Sequence, residues 1–162
     1  MEHIIRAAGA ILRDAAVIVV GSQAILGFAS DSVEADIVPF HDPDERKADL
    51  IDGTIGEGSP FHDAFHIYAQ GTSRLPSGWE LRLIPWPTEG TSGVTAWFLD
   101  PYDLLIAKYL ANRSKDHDFC QAMARTGLLD AQQLLVRLGE VDCTHDEHHQ
   151  ISQRIHRDFG MA

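Results

Sequence analysis

With 162 residues, 44% of them hydrophobic and 23% charged, the chain is long enough to bury a proper core without disulfide or metal staples. A formal net charge of −11 argues against a broad electrostatic surface for long nucleic acid, which would need several Lys and Arg against phosphates. No apolar run approaches a membrane span and no charged-then-apolar leader opens the chain, so no membrane association and a cytoplasmic location are expected; Cys120 and Cys143, at no metal-binding spacing, are expected as reduced thiols.

Ile4, Ile5, Ala8, Ile11, Leu12 and Ala15 recur at helical spacing and predict an amphipathic helix over residues 2–15. The β-branched run Val17 to Val20 reads as a short buried strand, ended by Gly21-Ser22 before the helical-looking Gln23-Ala24-Ile25-Leu26. After the turn Ser30-Asp31-Ser32, Val33 to Val38 alternates apolar with acidic, a second strand with Glu34 and Asp36 on one face and Val33, Ala35 and Ile37 on the other. Pro39 ends it, and Asp42-Pro43-Asp44-Glu45 opens a helix through Arg46, Lys47 and Leu50. The three glycines between Gly53 and Ser59 predict a loop. Phe65 to Ala69 and Trp79 to Ile84 predict strands of a hairpin with a long loop, Gly71 to Gly78, and Val94 to Leu99 a further strand. Asp100-Pro101 opens a long helix through Leu104, Leu105, Lys108, Ala111 and Asn112, and Gly127 closes that helical region. Asp130 and Thr144 cap two more helices, to about Leu138 and Phe159. The expected class is α+β: a single domain whose small mixed sheet lies in about residues 1–99, with a helical part in about 100–162.

Two features carry chemistry. A strand feeding a helix through Gly21-Ser22 offers backbone N–H groups and a hydroxyl where phosphate oxygens dock. Glu34 and Asp36, about 6–7 Å apart along one strand face, can share a hard divalent cation. Each alone has an ordinary reading, as turn punctuation or as the wet face of an amphipathic strand. In this order and at this spacing they describe a site for a metal-bound nucleotide. Lys108 stands inside Leu104-Leu105-Ile106-Ala107-Lys108-Tyr109-Leu110-Ala111, where an ammonium is unexpected unless it snorkels or meets an anion. On one continuous helix Asn112 and Lys115 share its face, which reads either as a phosphate-facing stripe or as a solvated one.

These residues resemble the nucleotidyltransferase superfamily, whose signature is a hydrophobic residue, Gly, Gly or Ser, a gap of roughly a dozen residues and an acid-x-acid strand. Val20-Gly21-Ser22 and Glu34-Ala35-Asp36-Ile37 match it. The helix Asp103-Leu104-Leu105-Ile106-Ala107-Lys108-Tyr109-Leu110-Ala111-Asn112-Arg113-Ser114-Lys115-Asp116, followed by Asp118, is similar to one in the small bacterial branch that includes abortive-infection and related toxin nucleotidyltransferases. Asp52 to Phe65 and Leu75 to Leu83 also look like an uncharacterised subgroup of that branch, so the likeness covers most of residues 15–130. It implies that Glu34 and Asp36 hold Mg²⁺ or Mn²⁺ against an NTP, that Gly21 and Ser22 cradle its β- and γ-phosphates, and that Lys108 neutralises the triphosphate. Arg113 and Lys115 would assist at the nucleotide or guide a short acceptor end. The implied acceptor is a tRNA end or a protein side chain, and a cognate antitoxin is a possible partner.

Many active members add a third carboxylate. Glu80 is the best candidate, since as a strand Trp79-Glu80-Leu81-Arg82-Leu83 puts it on one face with Arg82, with which it could instead pair. Asp116 or Asp118 could supply a base or metal ligand, or could cap the helix or pair with Lys115. A missing third acid would allow a catalytically silent nucleotide- or partner-binding module with the same fold; a purely structural or toxin–antitoxin interaction protein is a second alternative. Glu57, His62 and His66 lie around the glycine-rich loop from Gly53 to Pro60, which could cover the cleft and select the acceptor, while histidines making ordinary hydrogen bonds are the default reading. His145 and His149 lie one turn apart but lack the zinc-protease Glu, which favours an exposed polar helix, and Ser22 has no His or Asp partner at an offset that would suit a serine hydrolase.

Overall fold

A computed structural model describes residues 2–19, 34–39, 46–65, 68–70, 75–86 and 89–161. The chain adopts the expected α+β class and forms two compact units, Met1–Thr72 with Leu83–Leu99, and Ser73–Arg82 with Asp100–Ala162.

The first unit contains α1 (Glu2–Leu12), β1 (Ala16–Val19), β2 (Glu34–Val38), α2 (Arg46–Ile55), α3 (Pro60–Phe65), β3 (Tyr68–Gln70), β4 (Ile84–Trp86), a 3-10 turn at Glu89–Thr91 and β5 (Thr95–Phe98). Its sheet runs in the order β3-β2-β1-β5-β4. The central strand β1 pairs in parallel with β5 and antiparallel with β2, β2 pairs in parallel with β3, and β4 pairs antiparallel with β5. Alternation along β1 and β5 puts Val17, Val19, Ala96 and Phe98 on one face, where they bury with Ile37 of β2, Ile4, Ile5 and Ala8 of α1, and Ile51 and Ile55 of α2. Trp86 meets Phe98 edge-on with ring centroids 5.3 Å apart. Helix α1 ends at Leu12, before the expected Ala15, because Arg13 turns left-handed (φ 52°) and the Asp14 N–H donates back to the Gly9 carbonyl at 3.0 Å. Gly9 is needed for close approach, since a Cβ there would lie 2.5 Å from a Val94 methyl. Arg6 donates to the Gly90 carbonyl, tying α1 to the 3-10 turn at Glu89–Thr91.

Three expectations are corrected here. Gly53 lies inside α2, because burying Ile51 and Ile55 one turn apart outweighs the roughly 1 kcal/mol helix cost of an exposed glycine. Phe65 closes a short helix instead of opening a strand: Pro60 starts α3, and the Ser59 hydroxyl accepts from the His62 N–H at 3.2 Å. The hairpin does not form, since β3 and β4 occupy opposite edges of the sheet and Trp79–Arg82 is a 3-10 turn of the other unit.

That second unit packs α4 (Pro101–Ala111), α5 (Ser114–Thr126), α6 (Ala131–Leu138) and α7 (His145–Asp158). The Asp100 carboxylate accepts from the Tyr102 N–H at 2.9 Å, Asp130 accepts from the Gln133 N–H at 2.9 Å, and Thr144 and Glu147 form a reciprocal capping box, all at the expected helix starts. The helix expected to run on from Pro101 is broken at Asn112, which adopts a left-handed conformation (φ 56°, ψ 27°) that Asn tolerates better than most residues. Leu104, Leu105, Ile106, Tyr109, Met123, Leu134, Leu138, Ile151 and Ile155 form its interior. Among the described residues, no helix is long and apolar enough to cross a membrane.

Replacing Ile5, which is fully buried, with Ala is expected to lower the unfolding free energy by about 2–5 kcal/mol, read as a reduced urea midpoint at unchanged slope. The same change at the half-exposed Leu50 should cost far less.

Candidate functional site

In the sheet unit the acid-x-acid pair lies on β2, one strand in from the edge. Glu34 is opposite Tyr68 and Asp36 opposite Gln70 on β3, while Ile37 and Val38 pair with Val19 and Ile18 on β1. Ile37 is fully buried in the core against α1 and α2, so the strand period assigns positions 34 and 36 to the opposite face. Asp36 is the next β2 residue past the Val19–Ile37 pair that ends β1. Two carboxylates alternating along one strand are a hard-oxygen donor set of the kind Mg²⁺ or Mn²⁺ prefers. Gly21 and Ser22 lie outside the described residues, as does His66.

The helical unit gathers two of the expected cations, Lys108 and Arg113, around one buried carboxylate. Asp116, three residues into α5, accepts from Arg113 Nε at 2.7 Å, from Arg113 Nη2 at 3.2 Å and from the Arg113 backbone N–H at 3.3 Å. Lys108 Nζ lies 3.5 Å from its Oδ1. The Asp116 side chain is 2% exposed and that of Lys108 11%. Burial works to push the Asp116 carboxyl up, but the Arg113 hydrogen bonds and the nearby Lys108 charge outweigh it and hold the group below the usual carboxylate range. Lys108 within its apolar run thus meets an anion, Asp116. Because the helix breaks at Asn112, Lys115 does not continue a stripe from Lys108; Lys115 and Asp118 are exposed on α5. The Asn112 side-chain oxygen accepts from His117 Nε2 at 2.7 Å and from Arg154.

Glu80 is exposed on the 3-10 turn, and Arg82 turns to a different acid. Asp103, fully buried in the first turn of α4, accepts from Arg82 Nε at 2.8 Å and Nη2 at 3.0 Å, with Arg137 Nε of α6 at 3.1 Å from its Oδ1. The Arg137 contact is a charge contact without hydrogen-bond alignment. Arg137 Nη1 also donates to Glu140 at 3.0 Å, and the Ser77 N–H donates to the Glu140 carbonyl at 2.9 Å. Burial pushes the Asp103 carboxyl up against the pull of both guanidiniums, while its hydrogen bonds raise the Arg82 guanidinium. Sequence reasoning missed this network, because Asp103 next to Asp100-Pro101 reads as ordinary first-turn acid. The available signals were Arg82 between Leu81 and Leu83, and Arg137 between Val136 and Leu138, cations set in apolar runs.

Among the described residues, no three His, Cys, Asp or Glu side chains converge to hold a metal. His149 instead meets the Gln153 amide at 2.9 Å, and Cys120 and Cys143 are not joined in a disulfide.

The model of a family described as nucleotidyltransferase of unknown function (DUF6036) matches residues 2–158. No curated protein and no solved structure matches the chain significantly.

Asp103→Asn would leave two guanidiniums with their shared charge removed, so it should destabilise the protein by about 3–5 kcal/mol in chemical denaturation. Glu80→Ala, at an exposed position, should change stability by no more than about 0.5 kcal/mol.

Proposed function

The chain belongs to this nucleotidyltransferase family, and from that premise we propose that it transfers a nucleoside monophosphate from an NTP to an acceptor with the help of Mg²⁺ or Mn²⁺. The observation that carries the proposal is the acid-x-acid pair on β2 beside the end of β1. Glu34 and Asp36 would hold the cation, whose chemistry is to offset negative charge on the nucleotide phosphates during in-line attack at the α-phosphorus. Gly21 and Ser22 would receive the β- and γ-phosphates on backbone N–H groups and a hydroxyl. Lys108 would neutralise the triphosphate, with Arg113 and Lys115 contributing positive charge at the nucleotide or at a short acceptor end.

The proposed acceptor is a tRNA end or a protein side chain, as in the abortive-infection toxin-type branch that the chain resembles, with a cognate antitoxin as the regulatory partner. A net charge of −11 favours an acceptor that presents one short end over a long nucleic acid. One observation favours a second reading, a nucleotide- or partner-binding module without turnover: the best third-acid candidate, Glu80, is exposed on a 3-10 turn and does not lie on a strand.

Incubation with Mg²⁺ or Mn²⁺, each α-phosphate-labelled NTP in turn, total tRNA and cell protein should transfer label to one acceptor class, and Asp36→Ala should abolish the transfer. Metal-dependent NTP binding without transfer would select the silent module, and absence of both would refute the nucleotide reading.

A further inference from the structure

We infer that Arg154 of α7 is the centre of a phosphate-binding groove built from residues of the helical unit alone, a site beyond the transferase reading. Helical spacing supplies the first argument. Gln150, Gln153, Arg154 and Arg157 stand at i, i+3, i+4 and i+7, so they share one face of α7 over about 10 Å of helix, while Ile151 and Ile155 turn to the interior. These four residues line a groove of about 450 Å³. A recess of about 70 Å³ shares Gln150 and Arg154 with it and is lined from the α4 side by Tyr109, Leu110 and Asn112.

The partners of Arg154 supply the second. Its Nη1 donates to the side-chain oxygen of Asn112, the left-handed residue that ends α4, and lies 3.5 Å from His117 Nε2, which donates to the same oxygen at 2.7 Å. Among the described residues no carboxylate comes within ion-pair distance of this half-buried guanidinium. The carboxylates that α7 places two turns before it and one turn after it are engaged elsewhere. Glu147, which lines the recess, accepts from the Thr144 N–H at 2.9 Å and hydroxyl at 3.0 Å, and Asp158 accepts from Tyr109 at 3.1 Å and Arg157 at 3.3 Å. A neutral amide thus orients Arg154 at one nitrogen and leaves the rest of its planar fork to a ligand, and that fork matches a phosphate bidentately. Arg157 adds a second cation to the groove. The amides of Gln150 and Gln153, the latter with one N–H directed to His149 at 2.9 Å, offer donors to phosphate oxygens and acceptors to hydroxyl or base-edge groups beside them. The acidity of the chain does not oppose such a ligand here. The sheet unit has Arg6, Arg13, Arg46 and Lys47 as its Lys and Arg, so the other nine of thirteen lie in the helical unit beside only eleven of the twenty-four Asp and Glu.

The test titrates the full chain with inorganic phosphate, adenosine 5′-monophosphate and a fluorescein-labelled single-stranded RNA of about ten nucleotides, with a glutamate-rich peptide as the control anion. EDTA is present throughout, which withholds metal from the acid-x-acid pair. Arg154→Gln should weaken binding of the phosphate probes by about tenfold and Arg154→Lys by less, and for RNA the slope of log K against log salt should become shallower by about 0.7 in Arg154→Gln. RNA bound more tightly than the monophosphate identifies a phosphodiester strand as the source of the phosphate, and the reverse identifies a small phosphate ester; both support the site. Binding of none of the phosphate probes, affinity unchanged by Arg154→Gln, or a peptide bound as tightly as RNA overturns it. If Arg154→Gln fails to fold, Arg157→Gln decides, at a side chain that is 66% exposed: weaker binding of the phosphate probes supports the site, and unchanged binding overturns it.

Discussion

The pairing of β1 with β2 is the constraint on which the rest of the account depends. β1 is a four-residue strand whose Val17, Ile18 and Val19 are all fully buried, so neither face of it tolerates a register slip. With Val19 opposite Ile37, the period of two directs Ile37 to the core and assigns positions 34 and 36 to the other face. Sliding β2 by one residue would exchange an isoleucine for a carboxylate in an apolar core, at a cost of several kcal/mol. Apolar burial of Ile37 therefore fixes the register of β2 and with it the strand positions of the acid-x-acid pair.

The helical unit uses charge in the opposite way, with carboxylates inside and cations brought to them. Asp103 gathers Arg82 and Arg137, and Asp116 gathers Arg113 and Lys108. Both acids lie near the start of a helix, where the N-terminal dipole favours negative charge, and both draw cations from neighbouring segments. The first anchors the 3-10 turn at Trp79–Arg82 to α4 and α6, while the second ties α4 to α5 across their break. Pairs of this kind add little net stability compared with apolar substitutes, but they penalise alternative arrangements heavily, because each leaves a buried charge unmatched.

Where periodicity and caps decided the structure, it was legible in the sequence. β1, the acidic strand and the helices capped by Asp100, Asp130 and Thr144 follow from apolar alternation and from side chains suited to free backbone N–H groups. Illegible parts were those set by distant partners. β3 and β4 are three-residue strands too short to show a period, and the segment between them is drawn to the helical unit by a contact between Arg82 and Asp103, 21 residues apart. The break at Asn112 had a local signal in Asn-Arg-Ser, which competed with the helical spacing on either side. Of the candidate site, the type and order of Glu34 and Asp36 were readable from spacing alone, and Lys108 was noticeable as a cation in an apolar run. Its pairing with Asp116 was not, because it exists only once the helix has broken.

The most direct test of the central claim, that β2 carries the cation site for a metal-bound nucleotide, is the spectroscopic titration of Mn²⁺ by electron paramagnetic resonance, with and without NTP, on wild-type protein, Glu34→Gln and Asp36→Asn. The account predicts that the wild type binds Mn²⁺ more tightly when NTP is present and that each substitution removes this enhancement while thermal stability is retained. Folded variants that bind Mn²⁺ and NTP as the wild type does would contradict it.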